Sequence, residues 1–267
     1  MATKTEKEKL SYVPTDALYP EEDGEPMAAS DLHRHQLFRT LSTLEAHFSQ
    51  DPTVYISGDI LMYYVQGDPR KSIAPDVLVS FGIGMKKRRT YLVWEEGKVP
   101  EFVMEFSSKN TYHDDLTKKM DIYASLEVHD YFLYDAEGLY LPSQLIGFEL
   151  VDGNYVPILP DENGAIRSSS LGLDFRIRDG EIAVFDPVTG TWVQTRAEAE
   201  AIRADTAEAR AEQEANARQK ETTRANTAEA RAEQEATRAE QEATRADTAE
   251  AEVAQLREQL ARLQARS

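Results

Sequence analysis

Three ionisable residues sit where the surrounding pattern calls for apolar ones. Read as a strand, residues 101–107 place Phe102, Met104 and Phe106 on one face and Val103, Glu105 and Ser107 on the other. Glu105 therefore interrupts an apolar segment, and a carboxylate there needs a cation or a hydrogen-bonding partner. The run Ala74-Pro75-Asp76-Val77-Leu78-Val79 offers a second carboxylate at the beginning of a strand, where proline's missing N–H harms no ladder. Two strand carboxylates suit a hard, oxygen-seeking Mg²⁺, with water and a substrate phosphate filling its remaining positions. Each also has a plainer reading: Pro-Asp as a turn, and the strand glutamate as the partner of a nearby lysine.

The third residue is Lys119. On a helix read from about Tyr112 to Leu126, Leu116, Met120, Tyr123 and Leu126 define the apolar face, and Lys119 falls near its middle while Lys118 and Asp121 point away. A lysine on a buried face is uncommon. Snorkelling, or an ion pair with Asp115 one turn earlier, is the alternative to a role in chemistry.

The elements that must carry these residues are legible in outline. Ser30 or Asp31 caps a helix whose stripe is Leu37, Leu41, Leu44 and Phe48, and Asp51-Pro52 ends it. His33, one turn before Leu37, is placed either to approach the site or to serve as a core or capping residue. Strands are predicted at 54–65, 76–81, 90–94 and 101–107, then the helix at 112–126 and a strand at 131–134. Asp152-Gly153-Asn154 and Asp179-Gly180 mark two hairpins, between 147–151 and 155–159 and between 175–178 and 181–185. The order implies an α/β domain with a mixed sheet, completed by antiparallel additions.

Composition divides the chain near Thr195. All nine Phe, twelve Tyr and both Trp precede that point, and the rest is written mainly in Ala, Glu, Arg, Gln and Thr. The expected organisation is a polar extended arm at 1–29, one globular domain at 30–195 and a heptad-repeat helix at 196–267. Within that helix, Thr206–Ala215 and Thr227–Ala236 both read TAEARAEQEA. Arg203, Arg210, Arg224, Arg231, Arg238 and Arg245 share one heptad position, but only Val253, Leu256, Leu260 and Leu263 make a proper a/d seam. The tail is thus a solvated helix or a coiled coil, with its last heptads favouring a homo-oligomer.

There is no cysteine, and no run of about 18 apolar residues, so neither disulfides nor a membrane span are expected and the chain is read as cytoplasmic. A net charge of −18 argues against a general nucleic-acid coat protein. Residues 120–195 carry only Arg167, Arg176 and Arg178 as cations. Lys86, Lys87, Arg88 and Arg89, with Lys98, Lys109, Lys118 and Lys119, mark the stretch where nucleic acid would be touched. For the run 86–89, a solvated loop is the simpler reading.

Asp76 in APDVLV, Glu105 in FVMEFSS, Asp115, Lys119 and Tyr123 at spacings of four, and EVHDYFLYD at 127–135 resemble the signature of the Uma-two family of restriction-endonuclease-like proteins, in the PD-(D/E)XK nuclease superfamily. The resemblance extends from the first helix to about residue 185. It departs from the superfamily in one place: the slot two residues after the acidic residue is Ser107, and the lysine is Lys119 on the following helix. What the resemblance implies is a restriction-endonuclease-like mixed sheet flanked by helices, and a Mg²⁺- or Mn²⁺-dependent endonuclease acting on DNA. Asp76, Glu105 and the backbone carbonyl of Phe106 would hold the metal, and Lys119 would polarise water or steady the phosphate. Ser107, Asp115, Tyr123 and His33 would stand behind them. The competing class is a nuclease fold without activity that serves as an assembly module through its tail. Convergence of Asp76, Glu105 and the Lys119 ammonium on one point distinguishes the two.

Overall fold

In the computed structural model, residues 19–20 and 30–264 are described, with side chains to residue 258. The arm expected at 1–29 lies outside the described residues except for Tyr19 and Pro20. Tyr19 is buried beside Tyr63 and Trp94, and its hydroxyl accepts the Gly67 N–H at 2.7 Å.

Ser30 caps helix α1 (Asp31–His47) by accepting the His33 N–H at 3.2 Å, and a short 3-10 turn at Phe48–Gln50 ends it before Pro52. The single strand expected at 54–65 is two, β1 (Tyr55–Ser57) and β2 (Met62–Tyr63). They are separated at Gly58-Asp59, where Asp59 adopts φ 51° and donates its N–H to the Pro75 carbonyl. Gly58 is required there, since a Cβ would lie 2.2 Å from the Asp76 carbonyl oxygen. Strands β3 (Ser72–Ile73), β4 (Val77–Ser80) and β5 (Tyr91–Leu92) follow, and the chain expected to remain extended through Trp94 turns into helix α2 (Val93–Glu96), closed by left-handed Gly97.

Strand β6 (Phe102–Phe106) leads into the predicted helix, which is broken into α3 (Tyr112–Asp115) and α4 (Lys118–Ser125). The Asp115 carbonyl, which a continuous helix would offer to the Lys119 N–H, accepts the Tyr131 hydroxyl at 2.8 Å. Strand β7 (Asp130–Tyr134) is followed by β8 (Leu145–Val151), β9 (Asn154–Pro157), β10 (Ile166–Ser168), β11 (Leu173–Arg178), β12 (Glu181–Asp186) and β13 (Thr191–Trp192). Both hairpin turns form at Asp-Gly pairs with positive φ, as their sequence requires.

The main sheet has the order β1-β4-β6-β7-β8-β9. Only β6 and β7 are parallel within it, joined by α3 and α4, and the other neighbours are antiparallel. Strand alternation divides the core. Phe102, Met104 and Phe106 pack with Leu37, Leu44 and Phe175, on the face taken by α1 and the second sheet, β10-β11-β12-β13. Val103 packs with Tyr123, Tyr131 and Leu133 on the opposite face, which is also the face of Glu105. The protein therefore has an α/β fold of mixed sheets flanked by helices.

Helix α5 (Arg196–Gln264) runs through the rest of the described chain. Its start is locked by a capping box: the Glu198 N–H donates to Thr195 Oγ1 at 3.1 Å, and the Thr195 N–H to Glu198 Oε2 at 2.8 Å. The chain divides into two compact units, Met1–Glu200 and Ala201–Ser267. In the second unit every side chain described is exposed, threonines such as Thr227 donate back to the carbonyl four residues earlier, and Arg238 pairs with Glu242 at 3.4 Å. Among the described residues, no helix is long and apolar enough to cross a membrane.

Candidate active site

The parallel pair β6/β7 ends at Phe106 and Tyr134, and the predicted chemical residues gather at that end. Glu105 is fully buried on the face that α4 covers. Lys119 Nζ donates to Glu105 Oε2 at 2.8 Å, and the Tyr123 hydroxyl donates to Oε1 at 2.6 Å. Lys119 also lies 3.0 Å from Asp115 Oδ1, while Asp115 Oδ2 accepts the Ser107 hydroxyl at 2.9 Å. Both of the plainer expectations are therefore met: Lys119 is the i,i+4 partner of Asp115, and the buried strand glutamate has that lysine as its counter-ion.

Asp76 joins this group through sheet register. Val77 pairs with Met104 and Leu78 with Val103, so extending the antiparallel ladder by one residue sets Asp76 opposite Glu105 on the same face. Asp76 Oδ2 accepts the Phe106 N–H at 2.6 Å, which ties the carboxylate to the end of β6.

Electrostatics couple the residues. Burial pushes Glu105 up to about 8 against the pull of Lys119, with Asp76 and Asp115 adding to the rise. Burial likewise pushes Asp76 up to about 6, against Lys119 and the Phe106 N–H. Burial alone would lower Lys119, but Glu105, Asp115 and Asp76 override it and hold the ammonium protonated, above its usual range. Tyr123 is raised by burial and then by Glu105, so it remains a donor.

His33 is half-buried, with its ring edge-on to Phe106 at 5.6 Å. Burial lowers its pKa against the fields of Asp59, Asp115 and Glu137, which places it beside the site. Asp59 was not expected. Its carboxyl is raised by burial and lowered by His33 and Lys119, so it lies at the rim of the same group. The signal for it was a Gly-Asp pair in mid-strand, which a period of two does not distinguish from a strand.

A hard cation fits the donor set. Two carboxylates stand on one face of adjacent strands, each oxygen has two lone pairs, and the groups are held above their ordinary pKa by desolvation that a positive ion would relieve. Among the described residues, the set of three His, Asp or Glu with ligand atoms within 4.8 Å of one another lies elsewhere, at His129, Asp130 and Glu149. That set is at the opposite end of β7. The Asp130 carboxylate there accepts the Ser170 N–H and the hydroxyls of Ser168 and Ser170, so it fastens β7 to the segment after β10.

The basic run 86–89 is not brought to this site. It follows the far end of β4, four residues or roughly 13 Å along the strand from Asp76. Arg88 is corrected outright. Its side chain is 2% exposed, bonded twice to Glu96 at 2.8 Å and stacked 3.9 Å over the Tyr55 ring, so it braces its own loop. Lys86 reaches the same Glu96 at 3.2 Å, whereas Lys87 is exposed. Adjacency in sequence between the two acidic residues did not carry over to space, because β4 runs away from Asp76 before the loop begins.

The family model described as "Uma2: Putative restriction endonuclease" matches residues 14–208. No curated protein matches the chain. Among solved structures it resembles that of a "putative nuclease belonging to DUF820" from Anabaena variabilis ATCC 29413, at 14% identity and TM-score 0.41, over 56% of this chain and 80% of that one.

Proposed function

Because the chain belongs to the Uma2 family, we propose that it is a divalent-metal phosphodiesterase that hydrolyses nucleic acid, DNA in the first instance. The observation that carries this reading is Lys119 held between two fully buried carboxylates, Glu105 and Asp115, beside a third at Asp76. A scaffold has no use for so costly an arrangement. Asp76 and Glu105 would hold the cation, Mg²⁺ or Mn²⁺, with the Phe106 carbonyl as a further oxygen. When bound, the cation supplies Lewis-acid polarisation of the phosphate and a more acidic water. Lys119, with two of its ammonium hydrogens directed at Glu105 and Asp115, offers the third to a phosphate oxygen or the attacking water. Asp115, fixed by Ser107, and Tyr123, bonded to Glu105, keep that ammonium from rotating away.

Purified protein is expected to nick or degrade polynucleotide with Mg²⁺ or Mn²⁺ and to stop when EDTA is added. Inertness towards single-stranded and double-stranded DNA and RNA with either metal would end this reading. Protons should also compete with the cation, since Asp76 titrates at about 6 and Glu105 at about 8. Calorimetric Mn²⁺ affinity should therefore weaken as pH falls through that range, by about tenfold per pH unit for each proton displaced. A flat affinity would mean that these carboxylates do not bind the ion.

The tail is the assembly element. Val253 and Leu256, 46% and 62% exposed, begin the seam that Leu260 and Leu263 continue in sequence, and a second copy of the chain covers it. Ending the chain at Glu200 keeps the capping box at Thr195 and Glu198. That truncation is expected to lower the number of subunits per particle, read from the mass in light scattering; an unchanged number of subunits would exclude the tail as the interface.

A further inference from the structure

Past the ends of β6 and β7 lies a cleft whose lining contains His33, Ser107, Lys109, Glu137 and Tyr140, and Tyr112 extends the row of rings from Tyr140 beyond that lining. From its aromatic wall we infer that it takes an unpaired nucleic-acid strand whose bases stack on Tyr140 and Tyr112, so that the enzyme acts on single-stranded segments in preference to duplex. This inference rests on the phosphodiesterase reading and adds its substrate class.

The wall is built in advance. Asp135 is fully buried, and its carboxylate accepts the N–H groups of Glu137, Gly138, Tyr140 and Leu141 at 2.5–3.1 Å, fixing the loop that carries Tyr140. The Tyr140 hydroxyl is tied to Glu137 at 2.8 Å, which sets the ring's orientation. Its ring lies 5.9 Å from that of Tyr112 with planes 30° apart, and Tyr112 lies 3.9 Å from His113 at 32°. Three neighbouring rings, none of them fully buried, form a row beside a phosphate-hydrolysing site. Stacking on such rings contributes about 1–3 kcal/mol per base and tolerates any sequence.

Charge favours the same occupant. Duplex affinity depends on several cations neutralising phosphates. Among the described residues lining this cleft, Lys109 is the one Lys or Arg, and Glu137 opposes it. The cationic run 86–89 is at the other end of β4, with Arg88 spent on Glu96. A duplex also keeps its base faces stacked inside, where Tyr140 and Tyr112 could not reach them. Backbone charge is scarce here and base faces are what the wall can hold.

The test uses the full chain with Ca²⁺ in place of Mg²⁺, so that binding is read without turnover, and fluorescence anisotropy of labelled oligonucleotides of one sequence as single-stranded DNA, single-stranded RNA and duplex DNA. Single strands are expected to bind about tenfold or more tighter than duplex. Tyr140→Ala and Tyr112→Ala should each weaken single-strand binding about 5- to 100-fold and leave duplex binding unchanged, whereas Tyr140→Phe, which keeps the ring and loses only the hydroxyl's bond to Glu137, should weaken it about threefold or less. Thermal melts identify a variant that fails to fold, and Tyr112→Ala and Tyr140→Phe then carry the comparison. Duplex binding as tight as single-strand binding, or single-strand binding indifferent to both alanine variants, overturns the inference. If metal-dependent hydrolysis of duplex persists in those variants, the phosphodiesterase reading stands and this inference falls alone. If no polynucleotide is bound or cut, both fall.

Discussion

Replacing Lys119 with alanine is expected to slow metal-dependent hydrolysis by about 10²- to 10³-fold, the scale on which loss of a preorganised charge donor acts. The ammonium is the cation between Glu105 at 2.8 Å and Asp115 at 3.0 Å, and both carboxylates are buried. Its removal leaves them facing one another without compensation, a change that costs about 3–5 kcal/mol when a buried pair is broken. The actual loss should be smaller at low pH, because Glu105, already pushed to about 8 by burial, can take up a proton. An acid whose folded pKa lies above its unfolded value contributes stability below the unfolded value and loses it as pH rises through the folded one. Thermal melts of Lys119→Ala should therefore approach the wild type near pH 5 and fall away from it as pH rises past about 8, since losing the lysine raises Glu105 further. Arginine should not restore the rate, since its planar fork cannot take the place of a compact ammonium held by two carboxylates. Wild-type kcat in Lys119→Ala would remove the lysine from the chemistry.

The second large effect is expected for Glu105→Gln, which separates the metal from the fold. The shape is conserved: the amide oxygen still accepts from Lys119, and its NH₂ can donate to the Tyr123 oxygen, at the loss of the one hydrogen bond that the Tyr123 O–H donates in the wild type. Lys119 keeps Asp115. Stability should therefore change by about 1 kcal/mol or less, since a neutral amide is also cheaper to bury than a carboxylate. The site nonetheless loses the charge of one metal ligand. Mn²⁺ affinity is expected to fall about 100-fold or more, beyond the 10–100-fold that changes to outer hydrogen-bonding partners cost, and hydrolysis should fall with it. Unchanged Mn²⁺ affinity would move the ion elsewhere. The alternative is His129, Asp130 and Glu149, which His129→Ala would then reveal.

How much of this was legible beforehand follows from the range of each interaction. Glu105 stood out because a strand has a period of two, and its neighbours Phe102, Met104 and Phe106 are so apolar that the alternation could be read with confidence from five residues. Lys119 stood out by helical phase, and that phase survived the break at Leu116–Thr117 because α4 still projects Lys119 and Tyr123 toward β6. Asp76 depended on resemblance, since Pro-Asp reads equally well as a turn. Its place opposite Glu105 is a matter of strand register between segments about thirty residues apart.

By itself, then, the sequence determined the α/β class, the capped first helix, both Asp-Gly hairpins, the long tail helix, and Glu105 and Lys119 as ionisable residues on otherwise apolar faces. These are consequences of local periodicity, turn chemistry and composition, which act between near neighbours. Tertiary structure alone decided that Asp59 lies at the rim of that group, that Arg88 is a brace for its own loop, that Tyr131 breaks the helix before Lys119, and that Tyr112 and Tyr140 share a wall. Each of these depends on groups far apart in sequence competing for one donor, one carboxylate or one patch of surface, and that competition is settled only when the sheets and helices close on one another.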